Sequence, residues 1–207
     1  MHKPNETARV EAFSDGVFAI AITLLVLNLH VPRADEAPTG SALLTALLGQ
    51  WPMYIAFLTS FLVILIMWVN HHNLFTRIRR VDQGFLFLNG LLLLGVTIVP
   101  FPTALLAEHI QAPGQNVAAM VYSGISIFIA LAYNAVWRYA AHQHRLLDAS
   151  TPAAAVRAIN RQYAFGPLLY GAAFLMAFIS AMGSVLILFG LAVFFAVTAS
   201  TSRNEPG

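Results

Sequence analysis

Arg9-Val10-Glu11-Ala12-Phe13-Ser14-Asp15-Gly16 runs without a break into Val17-Phe18-Ala19-Ile20-Ala21-Ile22-Thr23-Leu24-Leu25-Val26-Leu27. Polar side chains crowd the first two turns; Thr23 alone interrupts the apolar run that follows. A bilayer core asks for roughly 20 consecutive, mostly apolar residues. The segment continues through Asn28 and His30 to Val31 and stops at Pro32, with Arg33, Asp35 and Glu36 beyond. It therefore reads as a membrane span over about residues 10–31. A short basic start before an apolar run also resembles a signal peptide. No small-residue cleavage site follows directly and more spans come later, so the helix reads as retained.

Five further spans follow at about residues 51–75, 83–106, 117–140, 163–181 and 184–200. Pro52 falls in the first turn of the second span, where proline is tolerated. Pro100 and Pro102 predict a kink or an early end in the third. Glu108 to Asn116 reads as a loop punctuated by Pro113 and Gly114. The polar stretch from His142 to Arg161 carries a short surface helix opened by Ser150, Thr151 and Pro152. Met182 and Gly183 separate the last two spans as a tight hairpin. The chain is thus expected to be one all-α membrane domain, residues 1–207, of six transmembrane helices in the lipid bilayer of the cell membrane.

Composition agrees. Hydrophobic residues make up 58% of the 207 and charged ones 10%, with a mean hydropathy of +0.72. A soluble domain of this length needs more charge to wet its surface. Net charge is +2, but the arginines are confined to loops between spans rather than gathered in a nucleic-acid-binding patch. The chain has no cysteine, which excludes disulfides, thiolate metal sites and cysteine nucleophiles. With the N-terminus inside, Lys3, Arg9, Arg77, Arg79, Arg80, Arg138, Arg145, Arg157, Arg161 and Arg203 are all cytoplasmic, and Arg33 alone is outside. Cytoplasmic loops carry such an excess. Both termini are therefore expected in the cytoplasm, which requires an even number of spans. Five spans, with the last two merged, is the competing topology, but the merged segment would need heavy tilt to cross once.

The start of the first span is the most informative segment. Charged groups near hydrocarbon are costly unless paired or wet. Asp15 either caps a helix start, with Ser14 or its own carboxylate receiving backbone N–H groups, or joins a buried polar network that pins this helix to its neighbours. Trp68, Asn70, His71 and His72 lie at matching depth near the end of the second span. His71 and His72 are adjacent and so point about 100° apart on a helix; they do not form a two-histidine metal site on one face. Farther along, Ile20, Leu24 and Leu27 share one stripe, flanked by Thr23. Such a stripe is a packing face or a pore lining.

The segment from Arg9 through Phe13-Ser14-Asp15 to Leu27 closely resembles the signature of the prokaryotic relatives of the endolysosomal potassium channel transmembrane protein 175. Trp68-Val69-Asn70-His71-His72 and Pro100-Phe101-Pro102-Thr103-Ala104-Leu105-Leu106 match as well. The resemblance implies a six-helix subunit that assembles as a homotetramer around a central pore lined by the first helix. It implies passage of potassium ions through apolar rings, narrowest at Ile20, with Leu24 and Leu27 as further rings. Thr23 matches a position linked to potassium preference. Arg9, Phe13, Ser14 and Asp15 match the signature, whose network with Trp68 and His71 would support packing and assembly. No cofactor is implied. The chain has no Thr-Val-Gly-Tyr-Gly filter segment.

Two other readings stay open. A small-solute or proton-coupled transporter calls for ionisable groups near the bilayer midplane, and here they gather toward one side. An intramembrane enzyme calls for a mechanistic motif such as His-Glu-x-x-His or Gly-x-Ser-x-Gly, which this sequence lacks.

Overall fold

The structure, a computed structural model, describes residues 6–201. Lys3 and Arg203, used above to count charge, lie outside them. The described chain is all-α: α1 Glu6–Leu24, α2 Gly40–Gly49, α3 Trp51–Phe75, α4 Gln83–Ile98, α5 Pro100–His109, α6 Gln115–Ala141, α7 Ala153–Ala177 and α8 Ala181–Thr201. Among the described residues, four stretches are long and apolar enough to cross a membrane: Glu6–Asn28, Trp51–Phe75, Gln83–His109 and Gln115–His144.

Helix α1 and the turn that follows it bury one stripe, Ser14, Phe18, Ala21 and Leu25, at the i, i+4, i+7, i+11 spacing that repeats on one helix face. The helix packs on α3, α4 and α5. Its last turn tightens into a 3-10 turn over Leu25–Asn28, so the first helix ends three residues earlier than Val31. Asn28 secures that end by donating its amide to the Pro100 carbonyl at 3.1 Å.

The third span breaks between Ile98 and Pro100, where proline supplies no N–H and clashes with the preceding turn. Helix α5 then continues to His109, so the loop shrinks to residues 110–114. A buried hydroxyl cluster ties α5 to its neighbours: Ser60 Oγ lies 2.7 Å from Thr103 Oγ1 and 2.9 Å from Tyr122 Oη. Small residues let the later helices approach closely; Ala119, Ala173 and Ala177 are all fully buried. At Gly95 a Cβ would stand 2.7 Å from Ile129 Cγ1, so only glycine allows the observed approach of α4 to α6.

Two further expectations need correction. The separate surface helix opened by Ser150 does not form; α7 runs unbroken from Ala153 to Ala177 with Pro167 inside it. Proline is tolerated there because the carbonyl it leaves without a partner, that of Tyr163, accepts the Asn134 amide of α6 at 2.6 Å. The hairpin before α8 turns at Phe178–Ser180 and not at Met182–Gly183. Ser180 Oγ accepts the Gly183 N–H at 3.0 Å and caps α8, while Gly183 sits inside the helix, where a Cβ would meet Met176 Cγ at 3.0 Å. Between the first two spans, beyond Arg33, Asp35 and Glu36, stands a further short helix, α2. Thr39 caps it by accepting the Ala42 N–H at 3.2 Å, and none of its residues is buried.

Candidate functional site

The polar residues of α1 meet α3 and α4 in two ladders. On the α3 side, Trp68 Nε1–H donates to Asp15 Oδ1 at 2.9 Å. One turn nearer the start of α1, His72 Nδ1 lies 3.0 Å from Glu11 Oε1. Glu11 and Asp15 are four apart on one helix face, a spacing at which like charges repel. Trp68 and His72, four apart on the antiparallel α3, answer them. The Trp68 and His72 rings stack at 6.2 Å.

The second ladder is buried. Ser14 Oγ–H donates to the Val10 carbonyl at 2.8 Å. Asn89 Nδ2–H donates to Ser14 Oγ at 3.0 Å. The Asn89 carbonyl oxygen lies 3.0 Å from His71 Nε2. An amide oxygen only accepts, so the proton sits on Nε2 of His71. The ring is held between Phe18, at 5.3 Å, and Phe75, at 4.5 Å. His71 and Ser14 have no exposed surface.

Of the residues singled out by the signature, Ser14, Asp15, Trp68 and His71 thus join α1 to α3 and α4. Asp15 lies two turns inside α1 and is no helix cap. Arg9 and Phe13 take no part in either ladder; both are exposed, on the rim of a cleft of about 630 Å³ that Val10, Leu86, Asn89 and Leu93 also line. Sequence reasoning missed Asn89, the hub of the buried ladder. Its signal was present: it is the one amide in the apolar run from Phe85 to Ile98, and a polar side chain at such a place calls for a partner on another helix. Asn28 carried the same signal.

The opposite face of α1 has no partner among the described residues. Phe13 is 68% exposed, Ile20 59%, Leu24 40% and Leu27 75%. Gly16 lies on the same face with nothing within 4 Å of where a Cβ would be. Ile20 and Leu24 belong to α1 and Leu27 to the 3-10 turn. The rise from Ile20 to Leu27 is roughly 12 Å, four residues at the α-helical step and three at the longer 3-10 step. Thr23 Oγ1–H donates to the Ile20 carbonyl at 2.9 Å, so its oxygen lone pairs are left free on the exposed side. Among the described residues no three His, Asp or Glu side chains gather as a metal site would require.

Beyond the ladders, the loops at the basic end are clasped together. Asp82 caps α4 by accepting the Phe85 N–H at 2.9 Å and also binds Arg145 and Tyr139. The Phe85 N–H, followed by Arg145 and Tyr139, holds the Asp82 carboxyl below the usual carboxylate range. Asp148 is held well below it by the Ser150 hydroxyl and N–H and by Arg79, whose Nε donates at 2.7 Å.

Fold and composition together define an α-helical membrane protein whose first helix presents one face to its own bundle and one away from it. The sequence pattern of the endosomal/lysosomal potassium channel TMEM175 matches residues 9–100. A potassium channel from Chamaesiphon minutus is 53% identical over 196 residues, covering 95% of this chain and 96% of that protein. A potassium channel from Streptomyces collinus is 50% identical over 178 residues, covering 86% and 85%. The crystal structure of a lysosomal potassium-selective channel TMEM175 homolog from Chamaesiphon minutus superposes with a TM-score of 0.86 at 51% identity, over 95% of this chain and 99% of that one. The chain belongs to the TMEM175 family.

Proposed function

We propose that this protein is the subunit of a potassium channel, in which copies of the chain assemble as a homotetramer around a pore lined by α1. Ile20 forms the narrowest ring, and Leu24 and Leu27 form further rings. Thr23 tunes the preference for potassium from beside them. Helices α7 and α8 complete a six-span subunit in the cell membrane with both termini cytoplasmic. The two ladders hold α1 at a fixed rotation against α3 and α4, so that this face turns to the axis.

The observation that carries this reading is the split of the first helix into a buried stripe, Ser14 to Leu25, and an exposed face on which Ile20, Leu24 and Leu27 stand. Four apolar side chains converging over such a length form a dry throat that conducts or closes by wetting and dewetting. The names of the relatives support potassium as the ion.

Ion flux into liposomes under a potassium gradient and then a sodium gradient, for wild type and Ile20→Asn, tests it. Potassium flux should exceed sodium flux in wild type. Ile20→Asn should raise the flux or lower the preference with assembly intact. A folded wild type that passes neither ion across a range of pH and voltage would move the reading to a transporter.

A further inference from the structure

Three arginines on α6 and α7 are left unexplained by the pore. Two hydrogen bonds fix how these helices lie together: Trp137 Nε1–H to Asn160 Oδ1 at 2.7 Å and Asn134 Nδ2–H to the Tyr163 carbonyl at 2.6 Å. Position 137 is therefore opposite 160, and 134 opposite 163, in an antiparallel pair. Seen from one end, antiparallel right-handed helices turn in opposite senses. One residue past the contact on each helix, a step of about 100°, carries Arg138 and Arg161 to the same side of the seam. Arg157, three residues before Asn160, comes to that side as well. The register places Arg138 level with position 159, about 3 Å along the axis from each of the other two. All three are exposed. The other side of α6, with Val136 and Ala140 fully buried, faces the core.

Helices α6 and α7 contain no Asp or Glu, so nothing on either helix neutralises this group. Among the described residues, four acidic groups of that end are engaged elsewhere, Asp148 by Arg79, Asp82 by Arg145, Glu11 by His72 and Asp15 by Trp68, and Glu6 stands with Arg9 on the cleft beside α1. Farther along the same outer side of the seam stand Leu131, Leu168 and Leu175, each more than half exposed. Phe165 lies beside them, with the Arg161 guanidinium 6.0 Å from its ring centre. The patch is cationic at the end of the bundle and apolar along its length.

The geometry points to a binding site for an anionic phospholipid, its phosphate held by Arg138, Arg157 and Arg161 and an acyl chain lying along Leu131, Leu168 and Leu175. Guanidinium forks match phosphate oxygens in pairs. A zwitterionic choline headgroup brings its own cation to the same three charges and gains less. A soluble anion leaves the apolar gutter unused. The inference rests on the bundle lying in a bilayer with this end at a headgroup layer, as proposed above. It does not depend on ion conduction.

Native mass spectrometry of the full chain in a neutral detergent tests it, with phosphatidylglycerol, phosphatidylcholine or inorganic phosphate added in steps. Phosphatidylglycerol should bind more tightly than phosphatidylcholine. A basic side chain near an anionic surface contributes about a fivefold change in affinity, so Arg138→Gln/Arg157→Gln/Arg161→Gln should weaken phosphatidylglycerol binding by tenfold or more, to about the phosphatidylcholine level. Arg80→Gln, an exposed arginine of the same end, should leave it unchanged. If the triple variant does not fold, Arg157→Gln and Arg161→Gln taken singly should each cost about fivefold. Equal binding of the two lipids, or unchanged phosphatidylglycerol binding in the variants, would overturn the site. So would displacement by inorganic phosphate at lipid-like concentration, which marks a soluble-anion site, or loss of subunits in the triple variant, which marks an interface between copies. No ion gradient is present, so a failed flux experiment and a failed lipid site remain separate results.

Discussion

The buried ladder has a direction that its donors and acceptors dictate. His71 Nε2–H donates to the Asn89 oxygen, the Asn89 amide donates to Ser14 Oγ, and the Ser14 hydroxyl donates to the Val10 carbonyl. Removing a link has unequal consequences along such a chain. Ser14→Ala deletes two bonds and takes the acceptor from the Asn89 amide, but Asn89 lines the cleft beside Arg9, where water can take up that donor, so the loss is about 1 kcal/mol. Asn89→Leu strands the Nε2–H of a fully buried His71, and an unsatisfied buried donor costs about 1–3 kcal/mol. Thermal unfolding in detergent should therefore rank Asn89→Leu below Ser14→Ala, and both below wild type. Equal melting temperatures for the two variants would mean that the ladder carries no such sequence of bonds. Serine, aspartate, tryptophan and histidine were legible as anchors because each is polar in an apolar setting. Asn89 was passed over because no motif surrounds it, and only its place opposite Ser14 and His71 in the folded chain reveals what it joins.

At the scale of helices, the long apolar runs announced the four membrane-length stretches, and Pro100 announced the break in the third. What the sequence left hidden depended on a partner helix. Pro167 reads as a helix breaker, yet α7 passes through it because Asn134 of α6 takes the carbonyl it frees. That pairing predicts a coupling. Asn134→Leu should destabilise wild type by about 1–3 kcal/mol, the cost of stranding a buried polar group. In a Pro167→Ala background, residue 167 regains its N–H and can serve the Tyr163 carbonyl itself, so the same substitution should cost much less. A double-mutant cycle on melting in detergent measures the difference; strict additivity would refute the pairing. The loops at the basic end carry a second dependence, on pH. Asp82 and Asp148 have carboxyls held below their ordinary range. The clasp they form therefore contributes fully above the unfolded-state value, about 3.9, and is lost as pH falls through the lower folded-state values. Melting temperature should fall on acidification below about pH 4, and Asp82→Asn should flatten part of that fall. A wild-type curve that is level from pH 6 to pH 3 would remove these carboxylates from the account of stability.

At the scale of the whole molecule, one chain leaves α1 half covered. Ile20, Leu24 and Leu27 present a stripe that the bundle does not bury, while the polar anchors on the other face fix its rotation. The sequence made the stripe legible through its spacing, but spacing alone does not distinguish a lipid-facing stripe from one that meets other copies. The two cases differ in what lies within reach. If α1 lines an axis shared by four subunits, residues at position 20 face one another at close range. If the stripe faces lipid, they do not meet. The chain has no cysteine, so a single introduced one is an unambiguous probe. A disulfide needs Cα atoms within about 7 Å, a condition met only at the narrowest part of a closed throat. Ile20→Cys in membranes treated with a mild oxidant should therefore yield a covalent dimer, which a reductant reverses. Leu168 is at least as exposed as Ile20 but on the outer side of α7, so Leu168→Cys should remain monomeric under the same conditions. Dimer from Leu168→Cys with none from Ile20→Cys would turn the subunit around and place the contact between copies at the α6–α7 seam. Dimer from Ile20→Cys alone would put α1 at the centre of the assembly, where its polar anchors can set the width of the throat.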